Sequence, residues 1–321
     1  MRRASASQAK WNDGARGARL AAKRAAWSRS LQDFDYVAPQ TVEGAVAAMA
    51  ADGARLLAGG TDLVPQLREG RRRAARIVDV KRIPELAGIR VMPDGGAAIG
   101  AAATASAVAR HALIAASFPA IASSARLIGS VQIQNRASLG GNICNAAPSA
   151  DAVPALICHE ARALLAGPRG RRELAVEALF TGPGRTCLEP GEILLSLSLP
   201  PPPPRSAAAY VRFTPRREMD IAIAGAAAWL HLDQQGTVAG ARIALASVAP
   251  TPIRAPAAER CLTGERPTPA LLAEAGRRAA ADARPISDTR GSADYRRELV
   301  AVLTARALAQ CCRQLAVGGF A

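Results

Sequence analysis

Ser138-Leu139-Gly140-Gly141-Asn142-Ile143-Cys144-Asn145-Ala146-Ala147-Pro148-Ser149-Ala150-Asp151 is the stretch on which the fold reading turns. It overlaps residues 129–148, a run dense in Gly, Asn, Gln and Ser with neither helical nor strand periodicity. Long irregular stretches inside compact domains are functional or disordered. Ile133, Leu139 and Ile143 recur along this one, so an ordered loop folded onto a surface is expected. Adjacent glycines permit positive φ and close approach to a ligand. Successive backbone N–H groups in such a turn make a concave anion site. Ser138 and Asn142 can donate hydrogen bonds to phosphate or ribose oxygens, and Asp151 can accept from sugar hydroxyls.

A related motif lies upstream. Leu56-Leu57-Ala58-Gly59-Gly60-Thr61-Asp62-Leu63 reads as a strand opening into a Gly-Gly turn. Thr61 adds a hydroxyl donor, whereas Asp62 suits a ribose hydroxyl or loop orientation rather than a phosphate. Alone, this motif reads first as a plain hairpin-type turn. Two Gly-Gly turns with small polar neighbours suit a pyrophosphate gripped from two sides. No Gly-x-Gly-x-x-Gly follows a strand and no Walker-type Gly-Lys-Ser/Thr occurs, which disfavours a Rossmann site and a P-loop.

Working outward, residues 41–51 read as a helix capped by Thr41, residues 54–57 and 76–80 as strands, and residues 83–86 as a helical turn. Residues 97–101 form a strand before a helix capped by Thr104, which Pro119 interrupts and which resumes to about Ile128. Strands are expected at 163–165 and 192–199. The Pro200 to Pro204 run is a stiff linker and marks the domain boundary. Strands near 210–213, 221–230 and 241–248, then helices at 269–283 and 292–315, read as an α+β domain.

Length and composition bound the function. At about 100–200 residues per domain, 321 residues suggest two. The net charge of +15 invites a nucleic-acid reading, but the arginines scatter and aromatics are 3% of the chain, leaving no base-stacking surface. An acidic partner subunit or a compositional bias explains the charge instead. Cys144, Cys158, Cys187, Cys261, Cys311 and Cys312 form no Cys-x-x-Cys pair, and His111, His159 and His231 are isolated, so no metal centre is expected. Unpatterned thiols in a chain this long fit a reducing cytoplasm. No apolar run approaches the roughly 18–20 residues of a membrane span. Residues 1–32 are basic and rich in Ala and Ser; they read as a disordered extension or an over-long start assignment, with a superficial likeness to a transit peptide.

Leu57 to Leu63 and Gln132 to Leu156, in this order and spacing, resemble the FAD-binding medium subunits of the molybdenum hydroxylases, as do Glu189 to Pro200 and Ser287 to Leu308. The resemblance runs from about Asp33 to Leu315. It implies an α+β fold: a two-part FAD-binding PCMH-type (vanillyl-alcohol-oxidase-like) domain over residues 33–204 and a smaller α+β C-terminal domain over 205–321. It implies phosphate contacts for Ala58, Gly59, Gly60, Thr61, Ser138, Gly140, Gly141 and Asn142. Asp151 falls where the family binds ribityl or ribose hydroxyls, and Leu194 where a leucine packs near the flavin. Arg212 matches a cation approaching the isoalloxazine, where it would stabilise the anionic reduced flavin; the bland alternative is a strand-edge arginine. Leu57, Asp62, Leu63, Ile128, Ala137, Cys144 and Asn145 complete the implied cofactor-binding set, with no catalytic residue and no metal ligand.

The resemblance further implies a complex with a molybdopterin-binding large subunit and a small subunit carrying [2Fe–2S] clusters, as a heterotrimer or a dimer of heterotrimers. This chain would pass electrons from the clusters through FAD to a terminal acceptor. Two departures stand out. Gln132-Ile133-Gln134-Asn135 replaces the family's Gln-Ile-Arg-Asn, and the cysteine-bearing insertion of the hydroxybenzoyl-CoA reductase branch is missing. The competing reading is a self-sufficient flavin oxidase with its own substrate pocket, which the short, aromatic-poor second domain disfavours.

Overall fold

In the computed structural model, residues 32–320 are described. The extension expected over residues 1–32 therefore lies, Gln32 apart, outside the described residues. The chain first builds a small parallel sheet. Strands β1 (Asp35–Val37), β2 (Ala54–Leu57) and β3 (Arg76–Asp79) pair in the order β1–β3–β2. Helix α1 (Val42–Met49) connects β1 to β2, and Thr41 Oγ1 caps it by accepting the Gly44 N–H at 3.1 Å. Helix α2 (Leu63–Arg68) follows β2, and α3 (Pro84–Ala87) follows β3. Val42, Ala45, Val78, Val80 and Leu86 of this lobe share a buried core with Ile193 and Leu195.

The second part is a five-stranded sheet in the order β4–β5–β10–β6–β7. Its strands are β4 (Ile89–Val91), β5 (Ala97–Gly100), β6 (Arg162–Gly167), β7 (Gly170–Ala175) and β10 (Ile193–Leu199), each antiparallel to its neighbours. A ribbon of β8 (Phe180–Gly182) and β9 (Arg185–Thr186) stands apart. Between β5 and β6 the chain is helical. It runs through α4 (Ala105–Arg110), α5 (Ala112–Ser117), α6 (Pro119–Arg126), α7 (Val131–Gln134), α8 (Leu139–Cys144) and α9 (Ala152–Cys158). Besides Pro119, extended backbone at His111 breaks the run.

The irregular loop expected over residues 129–148 is corrected, because it contains α7 and α8. Glycine costs a helix about 1 kcal/mol relative to alanine. Here burial of Leu139 and Ile143, both 0% exposed, and capping by Ser138 outweigh that cost. Helix α2 escapes the sequence reading because it carries a proline, as α9 also does. Pro65 and Pro154 sit in the first turn, where the missing N–H has no intrahelical partner to lose.

The last part is a four-stranded antiparallel sheet of β11 (Ser206–Phe213), β12 (Ala224–Leu232), β13 (Val238–Ala246) and β14 (Ile253–Arg254), in chain order. It is covered by α10 (Pro256–Leu262), α11 (Pro269–Asp282) and α12 (Ala293–Gln314). Side chains alternate across these strands. Ala208, Tyr210, Ala227, Trp229 and Ala244 join the core of the second part, where α6 and α9 lie. Ala207, Ala209, Ala226, Ala228 and Leu230 face the C-terminal helices. Both faces are thus buried, which is why these strands read as nearly continuous apolar runs. The strand expected at 221–230 starts only at Ala224, since Asp220 and Ile221 belong to the preceding loop. The two-part α+β domain followed by an antiparallel sheet with helices is the architecture expected.

Candidate functional site

Strand β2 ends at Leu57, whose carbonyl accepts the Val80 N–H at 3.1 Å. The chain then turns through Ala58, Gly59, Gly60 and Thr61 into α2, with Asp62 as N-cap residue. Gly60 has φ +75°, a left-handed conformation that favours glycine. Gly59 is glycine for another reason. A Cβ there would collide with the Arg136 carbonyl and stand 2.9 Å from Ala137 Cα. The first glycine turn therefore lies directly on the backbone that leads into the second motif.

That second motif is not the positive-φ nest expected. Gly140 and Gly141 lie in the first turn of α8, where Ser138 Oγ accepts the Gly141 N–H at 3.1 Å. The first-turn N–H groups of a helix lack intrahelical partners and carry the positive end of its dipole. A Cβ on Gly140 would stand 2.7 Å from Ala101 Cα, so the helix packs flush on the end of β5. A Cβ on Gly141 would meet only Ser138 Oγ, at 3.1 Å. Its other side is open to the cleft.

Both motifs line one cleft of about 840 Å³, within the range of roughly 300–1,000 Å³ usual for ligand sites. Leu57, Ala58, Gly59, Gly60, Thr61, Asp62, Leu63, Ile128, Ala137, Ser138, Gly140, Gly141, Asn142, Cys144, Asn145, Asp151 and Leu194 all face it. Leu194 sits at a β-bulge, where the β10–β6 register shifts between Leu194 and Ser196; such bulges re-aim side chains beside functional sites. Asn142 Oδ1 is buried there without a hydrogen-bond partner, which costs free energy unless a ligand donor reaches it.

Arg212 is the expected residue that does not line the cleft. Its guanidinium is paired with Asp151 Oδ2, while Asp151 Oδ1 accepts from the Tyr210 hydroxyl at 2.8 Å. The side chains of Asp151 and Arg212 are 10% and 6% exposed. Burial pushes the Asp151 carboxyl up, and the charge of Arg212 and the Tyr210 hydrogen bond pull it back. Burial and the Asp151 charge together hold the Tyr210 phenol well above its ordinary value. Arg212 thus stands behind Asp151, compensating its charge.

Sequence reading missed two groups of lining residues. Arg55, Gln66, Arg71 and Arg72 contribute from the first lobe; the Arg71–Arg73 run looked like scattered surface charge. Met219, Asp220 and Ile221 reach the cleft from the loop before β12, with no motif to mark them. Asp220 shapes that loop by accepting the backbone N–H groups of Arg216 at 3.0 Å and Ile221 at 2.9 Å. Gln134, which replaces the family arginine, is buried and donates to the Arg126 carbonyl at 2.7 Å, tying α7 to the end of α6.

A two-part α+β domain with a glycine-walled cleft between its parts defines a flavin-binding class, and comparisons with known proteins agree. Residues 32–202 match the profile of the FAD binding domain in molybdopterin dehydrogenase, and residues 209–311 that of the CO dehydrogenase flavoprotein C-terminal domain. The chain is 34% identical over 258 residues to the xanthine dehydrogenase FAD-binding subunit of Escherichia coli O157:H7, covering 80% of this chain and 88% of that one. It is 34% identical over 278 residues to the carbon monoxide dehydrogenase medium chain of Hydrogenophaga pseudoflava, covering 86% and 96%. A solved carbon monoxide dehydrogenase from Hydrogenophaga pseudoflava, lacking the Mo-pyranopterin moiety of its cofactor, superposes with TM-score 0.84 at 34% identity over 89% of this chain and 99% of that one. The chain belongs to the FAD-binding medium subunits of the molybdenum hydroxylases and is an FAD-dependent oxidoreductase subunit. No helix among the described residues is long and apolar enough to cross a membrane.

Proposed function

We propose that this chain is the electron-transfer subunit of a molybdopterin/[2Fe–2S]/FAD complex, carrying electrons from the iron–sulfur clusters of a small subunit to a terminal acceptor while a large subunit holds the molybdopterin and the organic substrate. Residues 33–204 would form the FAD-binding domain and residues 205–321 the C-terminal domain, in a cytoplasmic complex consistent with six free cysteines. One observation carries the FAD assignment. Gly59 rests on the Arg136–Ala137 backbone, so two glycine motifs far apart in sequence make one continuous wall of the cleft.

In this assignment, Ala58, Gly59, Gly60, Thr61, Ser138 and Gly140 hold the pyrophosphate through backbone and hydroxyl donors, and Gly141, whose N–H donates to Ser138 Oγ, lets the phosphate approach its backbone closely by lacking a side chain. Asn142 serves both kinds of oxygen: its amide donates to phosphate, and its unpartnered Oδ1 accepts from a cofactor hydroxyl. Asp62, whose side chain makes no cap hydrogen bond, accepts ribose hydroxyls. Asp151 faces the ribityl end with its charge compensated by Arg212. Ile128, Leu194, Met219 and Ile221 supply apolar wall and exclude water. When bound, FAD supplies a carrier that takes electrons singly and releases them in pairs. The test is direct. The purified full chain is expected to bind one FAD and to contain no iron of its own. Apo protein that cannot be reconstituted with FAD refutes the assignment.

A further inference from the structure

Arg296, in the first turn of α12, is 4% exposed and does not line the cleft. Its Nη1 donates to the Ile223 carbonyl at 2.7 Å and to the Ser247 carbonyl at 3.1 Å, and its Nη2 to Asp288 Oδ1 at 2.8 Å. Burying a guanidinium is unfavourable unless it is paired and hydrogen-bonded, so the fork imposes a definite geometry on what it holds. Both carbonyls lead to the cleft.

The Ile223 N–H donates to the Phe213 carbonyl at 2.9 Å, closing the loop of residues 214–222 that brings Met219, Asp220 and Ile221 into the cleft. Tyr295, next to Arg296, meets Phe213 edge-on, with ring centroids 6.2 Å apart and planes at 88°. The first turn of α12 therefore grips both ends of that loop. On the other branch, the Ser247 N–H donates to the Pro148 carbonyl at 2.8 Å, and Pro148 lies between Ala147 and Ser149 of the cleft wall. Ser247 has φ +66°, a conformation rarely adopted by side-chain-bearing residues and held here by bonds on both of its backbone groups.

We propose that Arg296 is a positioning residue for the flavin cleft. Its guanidinium sets the 214–222 loop and the Pro148 backbone in one fixed relation, so that the C-terminal part completes the cleft wall without Arg296 touching the ligand. This rests on the reading of the cleft as the FAD site.

The experiment compares the full chain with Arg296→Lys and with Leu303→Ala, a 2% exposed core residue of the same helix outside this network. FAD is titrated into apo protein well below each Tm, followed by flavin fluorescence, and the visible circular dichroism of bound flavin is recorded. Leu303→Ala should lower Tm yet keep Kd within about twofold and leave the dichroism unchanged. Arg296→Lys, a point charge in place of a planar fork, should weaken FAD binding about tenfold and alter the dichroism. Lowered Tm with unchanged Kd and dichroism would make Arg296 merely structural and overturn the proposal. Should Arg296→Lys not fold, Asp288→Asn carries the test, with a several-fold weaker Kd and altered dichroism expected and no change in either overturning it. Failure of the unmodified chain to bind FAD would instead strike the reading of the cleft itself.

Discussion

A methyl group added at Gly140 would stand 2.7 Å from Ala101 Cα, whereas one added at Gly141 would meet only Ser138 Oγ at 3.1 Å. The two neighbours should therefore fail differently. Gly140→Ala overpacks the α8–β5 contact and should cost about 1–3 kcal/mol of stability. Gly141→Val projects into the cleft and should leave the apo Tm nearly unchanged while abolishing measurable FAD binding. Charge-assisted hydrogen bonds to the pyrophosphate are worth about 1.5–3 kcal/mol each. Gly95, at φ +88° in the β4–β5 turn and away from the cleft, is the control: Gly95→Val should lower Tm and retain FAD. Thermal melts of apo protein and FAD titrations decide all three, and flavin retained at full occupancy by Gly141→Val would contradict the placement of the pyrophosphate.

Helix α9 ends at His159, a buried imidazole whose ring stands edge-on to Phe118 at 5.3 Å and whose Nε2 has no partner. Burial, helped by the positive charge of Arg242, lowers its pKa to about 4. The unfolded chain takes up this proton near pH 6.5 and the folded chain only near 4. Stability is therefore complete above pH 6.5 and falls as pH drops through that window, by roughly 3 kcal/mol in all. Urea unfolding at pH 7.5 and 4.5 should show this loss, and His159→Leu should flatten it. Elements differ in how legible they were. The strand from Ala54 to Leu57 and the caps Thr41 and Thr104 could be read because one local signal specified each. At residues 138–144 the same Ser-x-Gly-Gly pattern serves a turn nest or a capped helix start, and only packing on Ala101 separates them. Met219 to Ile221 could not be found at all, since a remote sheet delivers them to the cleft.

Across the whole molecule, the C-terminal sheet lends one face to the core of the FAD-binding part. Arg242 fastens this junction. Its Nε donates to the Cys158 carbonyl at 2.6 Å, Nη1 pairs with Glu160 at 2.7 Å, and the guanidinium lies 3.6 Å over the Trp229 ring. Arg242→Ala should cost about 2–4 kcal/mol, from an orphaned carbonyl and a lost cation–π contact. Because the core is shared, unfolding should remain a single step. Flavin release and far-UV dichroism should coincide across a urea titration; separated transitions would show that the parts unfold independently.

The alanine-rich sheet also sets the order of events during synthesis. A nascent chain that has emerged only as far as the Pro200 to Pro204 run exposes the apolar surface of α6 and α9 that β11, β12 and β13 will cover. At translation rates of about 5–20 residues per second, that surface waits several seconds for its cover. The loop bearing Met219 to Ile221 emerges in the same interval, and Arg296, which anchors it, emerges later still. On the proposal that FAD occupies this cleft with Arg296 positioning its last wall, cofactor loading is expected to be complete only after the loop of residues 214–222 and Arg296 have emerged.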